Sequence, residues 1–195
     1  WAVVLIAHGS QRGTDRSECS CAWVESSDGP PSWCLGCPNT SQGLNQAAGR
    51  IQALLNLDNR QLVMSCLEFI EPDPQQAVRT LKERGFRRLA LVPFLLGNGK
   101  HATLELEEIC EDVRAATPDL HLLLAEGLGA EPEMADLILE RVRSMEDNER
   151  ASAQAASPTG ILVVKAGTKS QYADCRWLMD LGEMVETQLG PDFAV

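Results

Sequence analysis

Two of the three histidines in this 195-residue chain fall just past apolar runs that read as strands. His8 follows the run 1–7 and precedes Gly9 and Ser10, and His101 follows residues 88–96 and the short loop Gly97-Asn98-Gly99-Lys100. Glu68 and Glu71 follow another apolar run, 62–67, and Glu126 closes one at 120–126. In an open parallel sheet every strand-to-helix loop opens on one side, and ligands bind there. These imidazoles and carboxylates are therefore expected to share a cleft. Imidazole ligates divalent metals and carries protons near neutral pH. A carboxylate can take a proton or offset the charge of a cation. Two or three protein ligands leave coordination positions open, so a bound metal could be passed on, whereas a structural site is closed by four.

Each residue also has a plainer use. A histidine in a strand-end turn often only bonds its surroundings, but two at one sheet end favour ligation. Glu68 and Glu71 could be solvated carboxylates, or charges favoured by a helix N-terminus. Ser10 could cap a turn. Gly97 and Gly99 are expected to allow the bends that swing His101 into the cleft. His121 opens the fourth strand at the opposite sheet end and is left out of the site.

The elements that must position these residues alternate. Strands are expected at 1–7, 62–67, 88–96 and 120–126, and helices at 43–57, 72–84, 102–116 and 131–145. Pro72 and Pro74 suit the first turn of the second helix, and Gly85 its end. Continuous apolar strands imply a sheet covered on both faces. The expected fold is α/β, a four-stranded parallel sheet with helices on both faces, over residues 1–146. Residues 147–159, small and polar, read as a linker. The pattern then restarts with a strand at 161–165 and a helix at 174–189, expected as the truncated start of a second, similar half over 160–195.

Residues 13–41 interrupt this order. A strand-to-helix loop normally takes about 2–6 residues, and this segment is far longer and rich in Ser, Gly, Pro and Cys. Cys19, Cys21, Cys34 and Cys37 within it could hold zinc or an iron–sulfur cluster, or could be free thiols in a disordered insertion. Cys66, Cys110 and Cys175 sit singly in regular elements and are expected as small buried hydrophobes.

The net charge of −11 disfavours nucleic-acid or anionic-membrane partners. No apolar run is long enough to span a bilayer. The start of the chain lacks the basic leader of a signal peptide, and an odd cysteine count favours a reducing compartment. A cytoplasmic location is expected, or the plastid stroma if a transit peptide has been lost. The chain begins at Trp1 without Met and stops abruptly, as a fragment would. A homo-oligomer is compatible with the sequence, which does not specify one.

Several of these segments resemble the sirohydrochlorin chelatases. Val4-Leu5-Ile6-Ala7-His8-Gly9-Ser10 is similar to their opening motif, and Leu67-Glu68-Phe69-Ile70-Glu71-Pro72 to their acidic motif. Val92-Pro93-Phe94-Leu95-Leu96 through Gly99-Lys100-His101 resembles their second-histidine motif, and Gly127-Leu128-Gly129-Ala130-Glu131-Pro132 through Arg141 the segment after the fourth strand. Residues 161–178 resemble the start of the second half of tandem members. The resemblance implies a three-layer chelatase-like fold. It implies insertion of Co²⁺ or Fe²⁺, with Ni²⁺ a further candidate, into sirohydrochlorin, towards cobalamin or sirohaem and without ATP. It implies that His8 and His101 bind the metal and help remove pyrrole protons, with Glu71 and then Glu68 as the acidic partner. Ser10, Arg12 and Lys100 are the candidates to receive the substrate's carboxylates. Gln11 stands where an Arg commonly follows this His-Gly-Ser motif, and the cysteine insertion also departs from the family pattern. The alternative reading is a metal-binding or metal-delivery protein that uses the cysteine insertion.

Overall fold

In a computed structural model of the chain, the described residues are 1–9, 42–97, 104–129, 131–150, 160–164 and 176–189. Four strands form one sheet: β1 (Ala2–Ala7), β2 (Leu62–Cys66), β3 (Arg88–Pro93) and β4 (His121–Leu124). All pairs are parallel, in the spatial order β2-β1-β3-β4. Between them in sequence lie α1 (Gln42–Leu54), α2 (Pro74–Glu83) and α3 (Leu106–Ala116). This is the α/β sheet expected from the alternating apolar runs.

Strand alternation explains why β1 is apolar at every position. Ala2, Val4 and Ile6 face a core built with Ala77, Val78 and Leu81 of α2 and Leu106, Cys110 and Val113 of α3. Val3, Leu5 and Ala7 face the other side, where Ala48 of α1 packs with Leu62, Met64 and Cys66 of β2. Each fully buried Leu or Ile contributes about 1.5–3 kcal/mol, so these two cores fix β1 as the centre of the sheet.

The strand order places a topological switch beside β1. The chain leaves β1 for β2 on one flank and then crosses back to β3 on the other. A sheet of this kind has its ligand crevice where the winding reverses, outside the carboxyl ends of the strands. Here that point lies between β1 and β3. His121 opens β4 at the opposite, amino end, with its ring edge-on to Trp1 at 5.5 Å, and Arg88 lies over the same indole at 4.2 Å.

The chain divides into two compact units, one of residues 1–95 and 100–127, the other of residues 96–99 and 128–195. The second unit contains α4 (Pro132–Arg150) and α5 (Arg176–Leu189), joined through Ala135, Leu139, Leu181 and Val185. Thus α4, which the sequence groups with the sheet, shares its apolar stripe with α5. It also runs on into the expected linker, as far as Arg150.

Some boundaries differ from the sequence expectation for identifiable reasons. β3 ends at Pro93 rather than at residue 96, because its partners run out: the Phe94 amide still donates to Ile6, but β1 ends at Ala7 and β4 at Leu124. The expected strand at 161–165 is not formed over its described part, 161–164. A strand needs a neighbour to receive its ladder bonds. Here Ile161 instead packs on the α4–α5 core while Leu162 and Val164 are exposed. Gly97 does not use a positive φ. It leaves space, since a Cβ there would stand 2.9 Å from Cζ2 of Trp177.

Candidate functional site

The site is built where β1 and β2 end. Pairing continues past the strands: the Leu67 amide donates to Ala7, and the Glu68 amide to the His8 carbonyl, each across 2.9 Å. This zips the residue after β1 to the residue that opens the acidic loop. Gly9 then turns away with φ +96, in the region that favours glycine. Glycine is required there for a second reason, because a Cβ would overlap the Glu68 carbonyl oxygen and lie 3.2 Å from Cβ of Cys66.

The His8 side chain is exposed. Its Nδ1 lies 3.2 Å from the Gly9 carbonyl oxygen. A carbonyl only accepts, so this contact places a proton on Nδ1 and turns Nε2 away from it. Metal-ligating histidines are commonly oriented this way, by a backbone carbonyl on the other ring nitrogen.

The acidic loop is held at both ends. The Cys66 amide donates to the Pro72 carbonyl across 3.1 Å, and the Ile70 amide to Glu68 across 2.8 Å. Leu67 packs on the core beneath α2 and α3, and Ile70 on the core beneath α1. Beyond Glu71, joined to Pro72 by a cis peptide bond, Asp73 caps α2. Its carboxylate accepts from the Gln76 amide at 2.7 Å, and the Gln76 side chain accepts from the Asp73 amide at 3.0 Å, a reciprocal capping box. Glu68 is half-buried and Glu71 exposed.

His8, Glu68 and Glu71 therefore occupy adjoining loops at the carboxyl end of the sheet. Glu126, exposed beyond β4, lies at the same end, two residues past Leu124, the partner of Leu91. Ser10, Arg12, Lys100, His101 and the four thiols Cys19, Cys21, Cys34 and Cys37 lie outside the described residues. β3 ends beside β1, with the Phe94 amide donating to the Ile6 carbonyl across 2.6 Å. Among the described residues no group of three or more His, Cys, Asp or Glu is arranged to hold a metal. Cys66 and Cys110 are buried, and burial pushes the Cys66 thiol up to about 11, as suits packing rather than ligation.

Two features of this loop escape a pattern reading. The close approach of Gly9 to Glu68 is a tertiary contact between residues 59 positions apart. Phe69 adopts φ +66 and is 57% exposed, in a loop whose sequence carries no glycine or asparagine to mark the turn.

An open parallel sheet with helices between its strands, and with an imidazole and two carboxylates on the adjoining loops after β1 and β2, makes this an α/β protein with polar side chains gathered at the carboxyl end of its sheet. The CbiX family model matches residues 37–145. A sirohydrochlorin ferrochelatase of Priestia megaterium is 29% identical over 102 residues, which are 52% of this chain and 38% of that one. A sirohydrochlorin cobaltochelatase of Methanopyrus kandleri is 24% identical over 162 residues, covering 73% of this chain and 94% of that one. The fold is similar to that of SirB from Bacillus subtilis solved with Fe³⁺, with a TM-score of 0.68 at 14% identity over 99% of this chain and 63% of that one. The chain belongs to the CbiX family. The family match contains Glu68, Glu71 and His101 and begins after His8. The chain spans well under half the length of the ferrochelatase and about two thirds of SirB.

Proposed function

We propose that this chain is a sirohydrochlorin chelatase, inserting Co²⁺ or Fe²⁺ into the macrocycle. The observation that carries the proposal is the pairing of His8 with the acidic loop at the carboxyl ends of β1 and β2 in a CbiX-family sheet. Insertion removes two pyrrole N–H protons as a dication enters, so a metal ligand and a proton acceptor must lie close together. His8 would serve either as metal ligand or as proton acceptor, one role at a time, and Glu68 and Glu71 stand in the adjoining loop to take the displaced protons or balance charge. His101 would complete the grip on the metal. Ser10, Arg12 and Lys100 would receive the substrate's carboxylates. The names of the ferro- and cobaltochelatase relatives support iron and cobalt, and the same nitrogen and oxygen donors would also accept Ni²⁺.

In this reading residues 160–195 open a second chelatase-like half, which the extent of the fold likeness supports. No described helix is long and apolar enough to cross a membrane. We place the activity in the cytoplasm, or in the plastid stroma, with a small tetrapyrrole rather than nucleic acid as partner. The cysteine segment is the basis of the alternative, metal delivery through a zinc or iron–sulfur site.

The test is to incubate the chain with sirohydrochlorin and Co²⁺ or Fe²⁺ and follow the absorption change. A rate above the spontaneous one supports the chelatase. A spontaneous rate, together with bound zinc or iron that disappears in Cys34→Ser/Cys37→Ser, supports delivery instead.

A further inference from the structure

The apex of the acidic loop carries a residue that the turn does not want. With φ +66, Phe69 sits in the left-handed region, where an L-residue with a bulky side chain is strained. Glycine or asparagine would make the same turn more easily. The fold gains little in return, because Phe69 is 57% exposed while its neighbours Leu67 and Ile70 are anchored on the two opposite cores. The loop thus straddles the sheet end, pinned on both sides, with only the phenyl-bearing residue at its crest. The Ile70-to-Glu68 bond closes the turn around it, and the Glu68-to-His8 bond sets the turn beside the imidazole. Strain held by its surroundings next to a candidate site points to a function for the strained residue.

We propose that Phe69 is a substrate-contacting residue whose ring packs against the conjugated face of the tetrapyrrole while His8 presents the metal to its centre. The proposal rests on the chelatase reading and extends it to how the macrocycle is held. A flat, weakly polar π-face is the ligand chemistry that an exposed phenyl ring recognises, through burial of apolar area and offset stacking. The substrate's carboxylates lie at the rim of the macrocycle, so this contact leaves them to the cationic and hydroxyl side chains.

The experiment is an absorbance titration of the full chain with metal-free sirohydrochlorin, for wild type, Phe69→Asn and Phe69→Tyr. A Co²⁺ titration without tetrapyrrole and the thermal midpoint are measured alongside. Asparagine tolerates the left-handed conformation and removes the ring; tyrosine keeps the ring. The expected result is a sirohydrochlorin Kd about 10-fold weaker in Phe69→Asn, with Co²⁺ affinity and thermal midpoint unchanged, and near-wild-type binding in Phe69→Tyr. The KM for sirohydrochlorin should rise and that for the metal should not. Equal sirohydrochlorin affinity in Phe69→Asn and wild type overturns this inference and leaves the chelatase reading intact. So does a fall in Co²⁺ affinity or thermal midpoint that accompanies the loss, since it makes the role structural. A wild-type chain that neither binds nor turns over sirohydrochlorin overturns both.

Discussion

The amide of Glu68 donates to the carbonyl of His8 across 2.9 Å, one residue beyond the last paired position of β1 and β2, Ala7 with Cys66. This bond carries the sheet's register into the loops. The candidate imidazole and the candidate carboxylate are thereby held as parts of one rigid ladder end, not as two independent loops. It also explains why a glycine must stand next: the chain after His8 passes directly over the Glu68 carbonyl.

Gly9→Ala is expected to be severe. The new Cβ would collide with a backbone oxygen, and the φ of +96 would be strained for any L-residue. Left-handed strain alone costs about 1–2 kcal/mol, and the collision forces the Glu68 amide away from His8. A loss of about 2 kcal/mol or more in denaturant melts is expected, with chelation falling to the spontaneous rate. An alanine variant that melts like wild type and remains active would show that the ladder end is not rigid.

His8→Ala should separate chemistry from folding. The side chain is exposed, so little packing is lost. Removal of a proton-transfer group costs about 10²–10⁴-fold in rate, and loss of a metal ligand adds to this. Co²⁺-dependent turnover should drop by about 100-fold or more while the thermal midpoint stays near wild type. A midpoint that collapses with the activity would assign His8 to the fold instead.

The sheet was legible because β1 buries both faces, and only a central strand needs seven consecutive apolar residues before a polar turn. His8, Glu68 and Glu71 were legible because parallel strands send every such loop to one side, whatever the strand order. The order itself was not, since no residue in β3 says whether it pairs with β1 or β2. The partner of α4 was hidden for a similar reason: Ala135 and Leu139 form an apolar stripe that fits a sheet or a helix equally well, and Leu181 and Val185 of α5 meet it. The apolar run at 161–165 also reads as a strand that restarts the pattern, but an apolar run is no substitute for a neighbouring strand, and its described part forms none. The tight turn at Phe69 escaped because its sequence contains none of the residues that usually announce a positive φ.

Asp73→Ala tests how the acidic loop is fixed at its far end. Asp73 caps α2 within a reciprocal box, and loss of such a cap costs about 1 kcal/mol. In a chain of this size that lowers the thermal midpoint by roughly 2–4 °C. Glu71 lies two residues upstream, so the loosened helix start should also lower kcat. Asp73→Asn, which preserves an accepting oxygen, should recover most of both. A drop in stability with kcat untouched would confine the cap's role to the helix.

Alkaline titration should report on the buried thiol of β2. Burial raises the Cys66 pKa from 9.0 to about 11, because the thiolate would be formed out of water. The sign follows from linkage: the folded state holds its proton more tightly than the unfolded state. The stability associated with the protonated thiol is therefore fully present below about pH 9 and is lost as the pH rises towards 11. A shift of this size corresponds to roughly 3 kcal/mol. Other groups also titrate in this window, so the informative quantity is the difference between wild type and Cys66→Ala, which should lack this part of the alkaline loss. Cys110, likewise raised by burial, serves as an internal comparison. In the native protein at pH 8 Cys66 should resist alkylation, and become reactive only on unfolding. Rapid alkylation under native conditions, or identical alkaline slopes in the two proteins, would show that the end of β2 opens to solvent, and the frame that holds Glu68 against His8 would open with it.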